Sequence, residues 1–148
     1  MNFTNEMSMT FLSRSANEGF ARASLAAFAA QLDPTLDELN DIKTAVSEAV
    51  TNCIVHAYPD TVGKITIRAR LFENNTLEIM IRDRGRGIED INRARMPMFT
   101  TGDSERSGRG FTIMESFMDT LRVRSSSGGT TVTMTKRISM RLGGRPML

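Results

Sequence analysis

A single cysteine, a single histidine and no long apolar run narrow what this 148-residue chain can be. Cys53 has no partner for an internal disulfide and no Cys or His at metal-ligand spacing, which excludes a disulfide scaffold and fits a reducing compartment. A small apolar packing role is expected of it. His56 has no nucleophile with a fixed partner near it in the sequence, so histidine-based nucleophilic catalysis is not expected. No run approaches the length of a membrane span, and the stretch from Met1 to Leu12 lacks the apolar core of a signal peptide. A cytoplasmic protein with no membrane association is expected. The last stretch carries Lys136, Arg137, Arg141 and Arg145 with no acidic residue among them. Taking those four from the 19 basic residues leaves 15 against 17 acidic, so the pI of 9.1 reflects a solvated tail, and direct nucleic-acid binding is not expected.

No repeat or linker divides the chain, and its length suits one domain. Met7, Met9 and Phe11 alternate with polar residues, as on a strand with one buried face. Ser15 and Glu18 have capping-box spacing ahead of an Ala-rich helix that Asp33-Pro34 ends, and Thr35 and Glu38 repeat the pattern. From Leu36 to about Ala57, the residues Leu39, Ile42, Ala45, Val46, Ala49, Val50, Cys53 and Ile54 recur at helical spacing. Glu48, Asn52 and His56, four apart, share another face. KITIRARLF and TLEIMIRD alternate around Glu73-Asn74-Asn75 as a hairpin, and LRVRS and TTVTMTK form another across Ser126 to Gly129. A short helix is expected at EDINRAR, a mobile loop between Gly87 and Gly108, and a helix in GFTIMESFMD that begins at a glycine pair. These elements predict an α+β two-layer sandwich, with helices on one face of a mixed, mainly antiparallel sheet.

Four short motifs fall along these elements in a fixed order. On the helix, the Asn52 amide oxygen suits a hard cation such as Mg²⁺, which takes few protein ligands when phosphate oxygens supply the rest. Glu48, one turn earlier, can accept a proton from an attacking hydroxyl. Asp83 ends a strand and can accept a hydrogen bond from the exocyclic amine of a base, while Gly85 and Gly87 let backbone pass close to a flat ring. Ser107-Gly108-Arg109-Gly110-Phe111 places two glycines ahead of a helix, where backbone amides hold phosphate oxygens. Thr130, after Gly129, can complete the floor through its hydroxyl. Each motif alone has an ordinary structural explanation.

In this order they resemble the N box and the three glycine boxes of the ATPase and kinase superfamily that includes gyrase-type topoisomerases, large heat-shock chaperones and histidine kinases. LDPTLDELNDIKTAVSEAVTN, MFTTGDSERSGRGFTIMESFMD and FARASLAAFAAQLDP are similar to the small serine kinases of the sporulation anti-sigma-F family. The resemblance runs from about Asn5 to Lys136. It implies the Bergerat-type ATP-binding fold, with 1–136 as an ATP-binding serine kinase and anti-sigma domain and 137–148 as a basic tail. It further implies a cytoplasmic homodimer, paired through sheet edge and first helix, that inhibits a sporulation sigma factor and phosphorylates a serine of an anti-anti-sigma protein with ATP and Mg²⁺. By the matching boxes, Glu48 would be the general base, Asn52 the metal ligand and Asp83 the adenine-recognising carboxylate. Gly85, Gly87, Ile88, Gly108, Gly110, Phe111 and Thr130 would belong to the nucleotide pocket, and Thr100, Thr101, Arg106 and Ser107 to a lid, with Arg106 neutralising the transferring phosphoryl group. Arg22 would face partners. Arg84, Arg86 and Arg109 stand where the family often has acidic or apolar residues. A stress-response anti-sigma kinase, a nucleotide-binding module without transfer and a histidine-kinase fragment are the rival readings.

Overall fold

Alternating strands and periodic helices become one sheet with one helical layer. The computed structural model describes residues 2–87 and 105–140, with side chains for 2–87 and 110–140. Strands β1 (Phe3–Leu12), β2 (Lys64–Phe72), β3 (Thr76–Asp83), β4 (Thr120–Ser126) and β5 (Gly129–Arg137) lie in the order β1-β2-β3-β5-β4. All four pairings among the described residues are antiparallel. Ile65, Ile67, Ala69 and Leu71 of β2 and Leu77, Ile79 and Ile81 of β3 turn to one face and are buried. Each such Ile or Leu stabilises the fold by roughly 1.5–3 kcal/mol relative to an exposed position. Helices α1 (Ala16–Ala29), α2 (Leu36–Asn52) and α3 (Glu105–Phe117) cover that face, with α2 packed against both others. The lone cysteine joins the core as expected, together with Met114, Met118, Met134 and Phe111.

The two capping patterns end differently. Thr35 forms the full box: its hydroxyl accepts the Glu38 N–H at 3.1 Å, and the Glu38 carboxylate accepts the Thr35 N–H at 2.9 Å. Ser15 makes no side-chain cap and sits at helical dihedrals, which corrects the expectation there. The reason is competition for Glu18, whose carboxylate takes Arg22 Nη1 at 3.0 Å and the Ser47 hydroxyl from α2. The start of α1 is instead tied to β1 by Asn17, which donates from Nδ2 to the Leu12 carbonyl at 2.9 Å. A short 3-10 turn (Ala30–Leu32) and left-handed Asp33 then end the first helix where Asp33-Pro34 predicts.

The second helix stops being α-helical at Asn52. Cys53–Ala57 form a π-helical turn, in which the Tyr58 N–H donates to the Cys53 carbonyl at 3.1 Å. The expected α-helical row of Glu48, Asn52 and His56 therefore breaks after its second member. The hairpin at Asn74-Asn75 is as expected, with Asn75 at φ 62°. The third helix begins at Glu105, so the glycine pair lies inside it and not ahead of it. Glu and Arg extend a helix readily, and the internal glycine has a packing reason, given below.

Lys136, grouped by sequence with a solvated tail, is in β5 and bonded twice. Its ammonium donates to the Phe117 carbonyl at 2.7 Å and stands 3.4 Å from Asp41. Beyond β5, Ile138 is buried and exchanges hydrogen bonds with Asn75, and Ser139 donates to Glu38 from its N–H at 2.9 Å and its hydroxyl at 3.2 Å. The expected helix at EDINRAR and the Gly87–Gly108 loop lie outside the described residues, apart from the backbone from Glu105.

Candidate functional site

The end of β3, the π-helical turn, the turn after β3 and the β4–β5 hairpin meet at one carboxylate. Asp83 is 5% exposed. Its Oδ1 accepts the Gly85 N–H at 2.9 Å and the Thr130 N–H at 3.2 Å, and its Oδ2 accepts the Cys53 thiol at 3.5 Å. Burial raises its pKa above the ordinary carboxylate value, against the two backbone amides and the thiol, which pull it down. Burial likewise pushes the Cys53 thiol well up, with the Asp83 charge adding to it. Cys53 therefore stays a protonated donor.

Close backbone approach explains the glycines around this carboxylate. A Cβ on Gly85 would overlap the Ala57 carbonyl, to which the Arg86 N–H also donates at 3.4 Å. Gly129, at φ 134°, lies against the Asp83 carbonyl, and Gly87, at φ 77°, lies against the Ser126 carbonyl. These are conformations that side chains with a Cβ rarely adopt. Thr130 contributes more through its N–H than expected, since its hydroxyl is engaged with Ser125 at 2.7 Å. Tyr58 locks the same corner: its hydroxyl donates to the Lys64 carbonyl at 2.8 Å and accepts the Arg84 N–H at 2.7 Å.

Glu48 and Asn52 stand together where α2 meets α3. A Cβ on Gly110 would lie 3.1 Å from Asn52 Nδ2, 3.2 Å from its Oδ1 and 3.4 Å from Glu48 Oε2. The internal glycine thus lets α3 pass beside both side chains, and the motif read as a phosphate loop is in part a helix-packing contact. Asn52 Nδ2 is shielded from solvent and has no hydrogen-bond partner among the described residues. An amide held without a partner, beside a carboxylate and a bare backbone, fits a polar ligand. No cluster of three or more His, Cys, Asp or Glu with metal-site geometry occurs among the described residues. A Mg²⁺ that relies on one amide oxygen and phosphate oxygens requires none.

Asp83, Gly85, Gly87 and Thr130 are thus together, and Glu48, Asn52 and Gly110 form a neighbouring group linked to them through Cys53. Phe111 is 2% exposed in the core. Arg22 stays on α1, paired with Glu18, away from the Asp83 corner. Arg106, Ser107 and Gly108 are in the first turns of α3, and their side chains, like Ile88, Thr100 and Thr101, are outside what is described. Sequence reasoning missed the hydrogen-bonding roles of Cys53 and Tyr58. Their only signal was their position, directly after Asn52 and at the end of the same motif.

Residues 11–136 match the model of the histidine kinase-like ATPase domain. The chain is 57% identical over 141 residues to an anti-sigma F factor of Caldanaerobacter subterraneus subsp. tengcongensis, covering 93% of this chain and 97% of that one. It belongs to the anti-sigma F factor family. A relative of the same description in Geobacillus kaustophilus is 53% identical, over 91% of this chain and 94% of its own. Among solved structures, the RsbU and RsbW domains of a Mycobacterium tuberculosis protein superpose with a TM-score of 0.70 at 24% identity, over 93% of this chain and 34% of that longer chain. That likeness bears on the fold alone. The α+β sandwich read from the sequence is therefore the histidine kinase-like ATPase fold, and membership of an ATPase family implies nucleotide binding by the domain.

Proposed function

We propose that this anti-sigma F family member binds and inhibits a sporulation sigma factor and uses ATP to phosphorylate a serine of its anti-anti-sigma antagonist, in the cytoplasm. The observation that carries the reading is the buried, multiply hydrogen-bonded Asp83 next to the Glu48–Asn52 pair at Gly110. Ionised Asp83 accepts a hydrogen bond from the exocyclic amine of adenine, and the two backbone amides that hold Oδ1 fix its direction. Gly85, Gly87 and Gly129 let neighbouring backbone close up around Asp83, which holds the carboxylate in place at the adenine end of the pocket. The Asn52 amide oxygen would hold Mg²⁺, and Glu48 takes the proton from the serine hydroxyl as its oxygen bonds to the γ-phosphorus of ATP and the bond to the departing ADP breaks. ATP with Mg²⁺ supplies an activated phosphoryl group with its charge partly neutralised. Gly108, Gly110 and the first amides of α3 are assigned to phosphate binding, and Thr100, Thr101, Arg106 and Ser107 to the lid, with Arg106 offsetting charge on the moving group. Ile88 and the Phe111 backbone complete the pocket, and Arg22 is assigned to partner binding.

A homodimer is part of the reading. Edge strand β1 leaves one row of backbone groups unpaired within the described sheet, and Phe20 of α1, 55% exposed, stacks edge-on against Phe11 of β1 at 6.3 Å. The domain is assigned to 1–136, followed by the basic tail 137–148.

The test is Glu48→Gln, with labelled ATP and a candidate anti-anti-sigma protein. Loss of transfer by about 10²–10⁴-fold with ADP binding retained is expected for a general base. Transfer at the wild-type rate would remove Glu48 from the chemistry.

A further inference from the structure

The helices cover one face of the sheet, and the opposite face carries an unbalanced set of arginines. On that face the cross-strand register aligns Ser8, Arg68, Met80, Thr133 and Arg122 in one row, and Thr10, Thr66, Arg82, Thr131 and Arg124 in the next. A third row, Glu6, Arg70, Glu78, Thr135 and Thr120, holds two carboxylates against one arginine, and Arg70 pairs with Glu6 and lies over the Phe3 ring at 4.5 Å. The first two rows hold four arginines and no carboxylate. Among the described residues none of the four has an ion-pair partner.

Such an arrangement disfavours the isolated fold. Arg68 and Arg82 are diagonal neighbours on adjacent strands, about 7–8 Å apart by sheet geometry, and like charges so placed repel. Arg82 and Arg124 flank Thr131 across roughly 10 Å. Arg68 Nε is shielded from solvent and donates to nothing among the described residues. Outside the basic tail the chain has 15 basic against 17 acidic residues, so the four arginines are a local excess on a slightly acidic body.

We propose that this uncovered face is a docking surface for an acidic segment of a protein partner, gripped by Arg68, Arg82, Arg122 and Arg124. The guanidinium fork takes a carboxylate through two parallel bonds, and the intervening Thr66, Thr131 and Thr133 hydroxyls supply further donors. Nucleic acid fits the face less well. No aromatic lies in the two arginine rows to stack a base, and a smooth sheet face presents nothing to enter a groove. The surface is separate from the nucleotide pocket yet shares its strands, since Arg82 precedes Asp83 and Thr131 follows Thr130 on the reverse side. It stands independently of the kinase reading.

The probes are labelled decaglutamate and a ten-nucleotide oligothymidine, titrated into the full chain by fluorescence anisotropy at two salt concentrations. Arg82→Gln/Arg124→Gln is expected to weaken decaglutamate roughly thirtyfold, from two exposed charge pairs at the upper end of their usual worth. ADP affinity should be unchanged, which shows that the variant folds. The control Arg14→Gln/Lys43→Gln makes the same change in net charge elsewhere and should leave peptide binding near wild type. Equal weakening by the control, oligothymidine held more tightly than the peptide through the same arginines, or no peptide binding by wild type would each overturn the proposal. If the double variant does not fold, Arg82→Lys/Arg124→Lys keeps the charge and removes the fork. Unchanged peptide affinity in that variant would also count against the proposal.

Discussion

At the residue scale Asp83 matters most, because one side chain holds four structural elements together and is the proposed contact to adenine. Its pKa is raised by burial, so protonation begins at a higher pH than for an exposed aspartate. ADP affinity should accordingly fall as the pH is lowered through that raised value, since the neutral acid accepts poorly from adenine. The stability consequence has the opposite sign: a raised pKa in the folded chain stabilises it at low pH, and the contribution is lost as pH rises through the folded value. Titration with ADP from pH 4 to 8 checks the first, and affinity independent of pH over that range would contradict it. Asp83→Asn can still accept the Gly85 and Thr130 N–H groups, so the fold should survive. ADP binding should weaken by about 10–100-fold, for one lost hydrogen bond to a charged group at roughly 1.5–3 kcal/mol. Asp83 could be placed at a strand end from the sequence, but an Asp before paired glycines is common in turns, and only its order among the other motifs singled it out. The thiol of Cys53 and the hydroxyl of Tyr58 were not legible, because donation depends on where a backbone turn delivers a side chain.

Helix ends divide what local sequence determines from what tertiary contacts override. The Thr35–Glu38 box formed as written, whereas Glu18 was drawn away from Ser15 by Arg22 and by Ser47 on another helix. Glu38 does more than cap. Burial alone would raise its pKa, but the Thr35 and Ser139 N–H groups and both hydroxyls outweigh it, and the net pKa is lowered. A depressed carboxylate stabilises above its unfolded pKa, and that contribution is lost as pH falls through the folded value. Glu38→Gln should lower stability by about 1 kcal/mol at neutral pH, the usual worth of a cap, and flatten the acid limb of denaturant-measured stability. An acid limb like that of the wild type would show that Glu38 is merely solvated. The internal glycine of α3 was illegible for a related reason: Gly110 is set by the packing of α2 against it. Gly110→Ala tests this packing. Helix propensity alone would favour alanine by about 0.8–1 kcal/mol, yet the added methyl meets Asn52 and Glu48 at 3.1–3.4 Å. Reduced phosphate transfer with no loss of helix content is expected, and a fully active variant would place the two helices further apart.

For the whole molecule, the alternation of strands and the order of motifs carried the sandwich and brought Asp83, Gly85, Gly87 and Thr130 to one corner, because both depend on local period and turn chemistry. The strand order did not follow from pattern, since each hairpin could join the others at either edge. Nor did the anchoring of Ile138 and Ser139 against Asn75 and Glu38, which ties the start of the tail to both layers. Reciprocal control of two partners requires that nucleotide bind two conformations unequally. ATP is expected to favour sigma-factor capture and ADP to favour retention of the unphosphorylated anti-anti-sigma protein. Equal partner affinities with either nucleotide would remove that control. The central claim, ATP-dependent transfer to a partner serine, is tested most directly by incubating the chain with ATP, Mg²⁺ and candidate anti-anti-sigma proteins, then mapping phosphate by mass spectrometry. The account predicts phosphoserine on one candidate, lost with Glu48→Gln. Unmodified candidates throughout, with ATP bound, would contradict it.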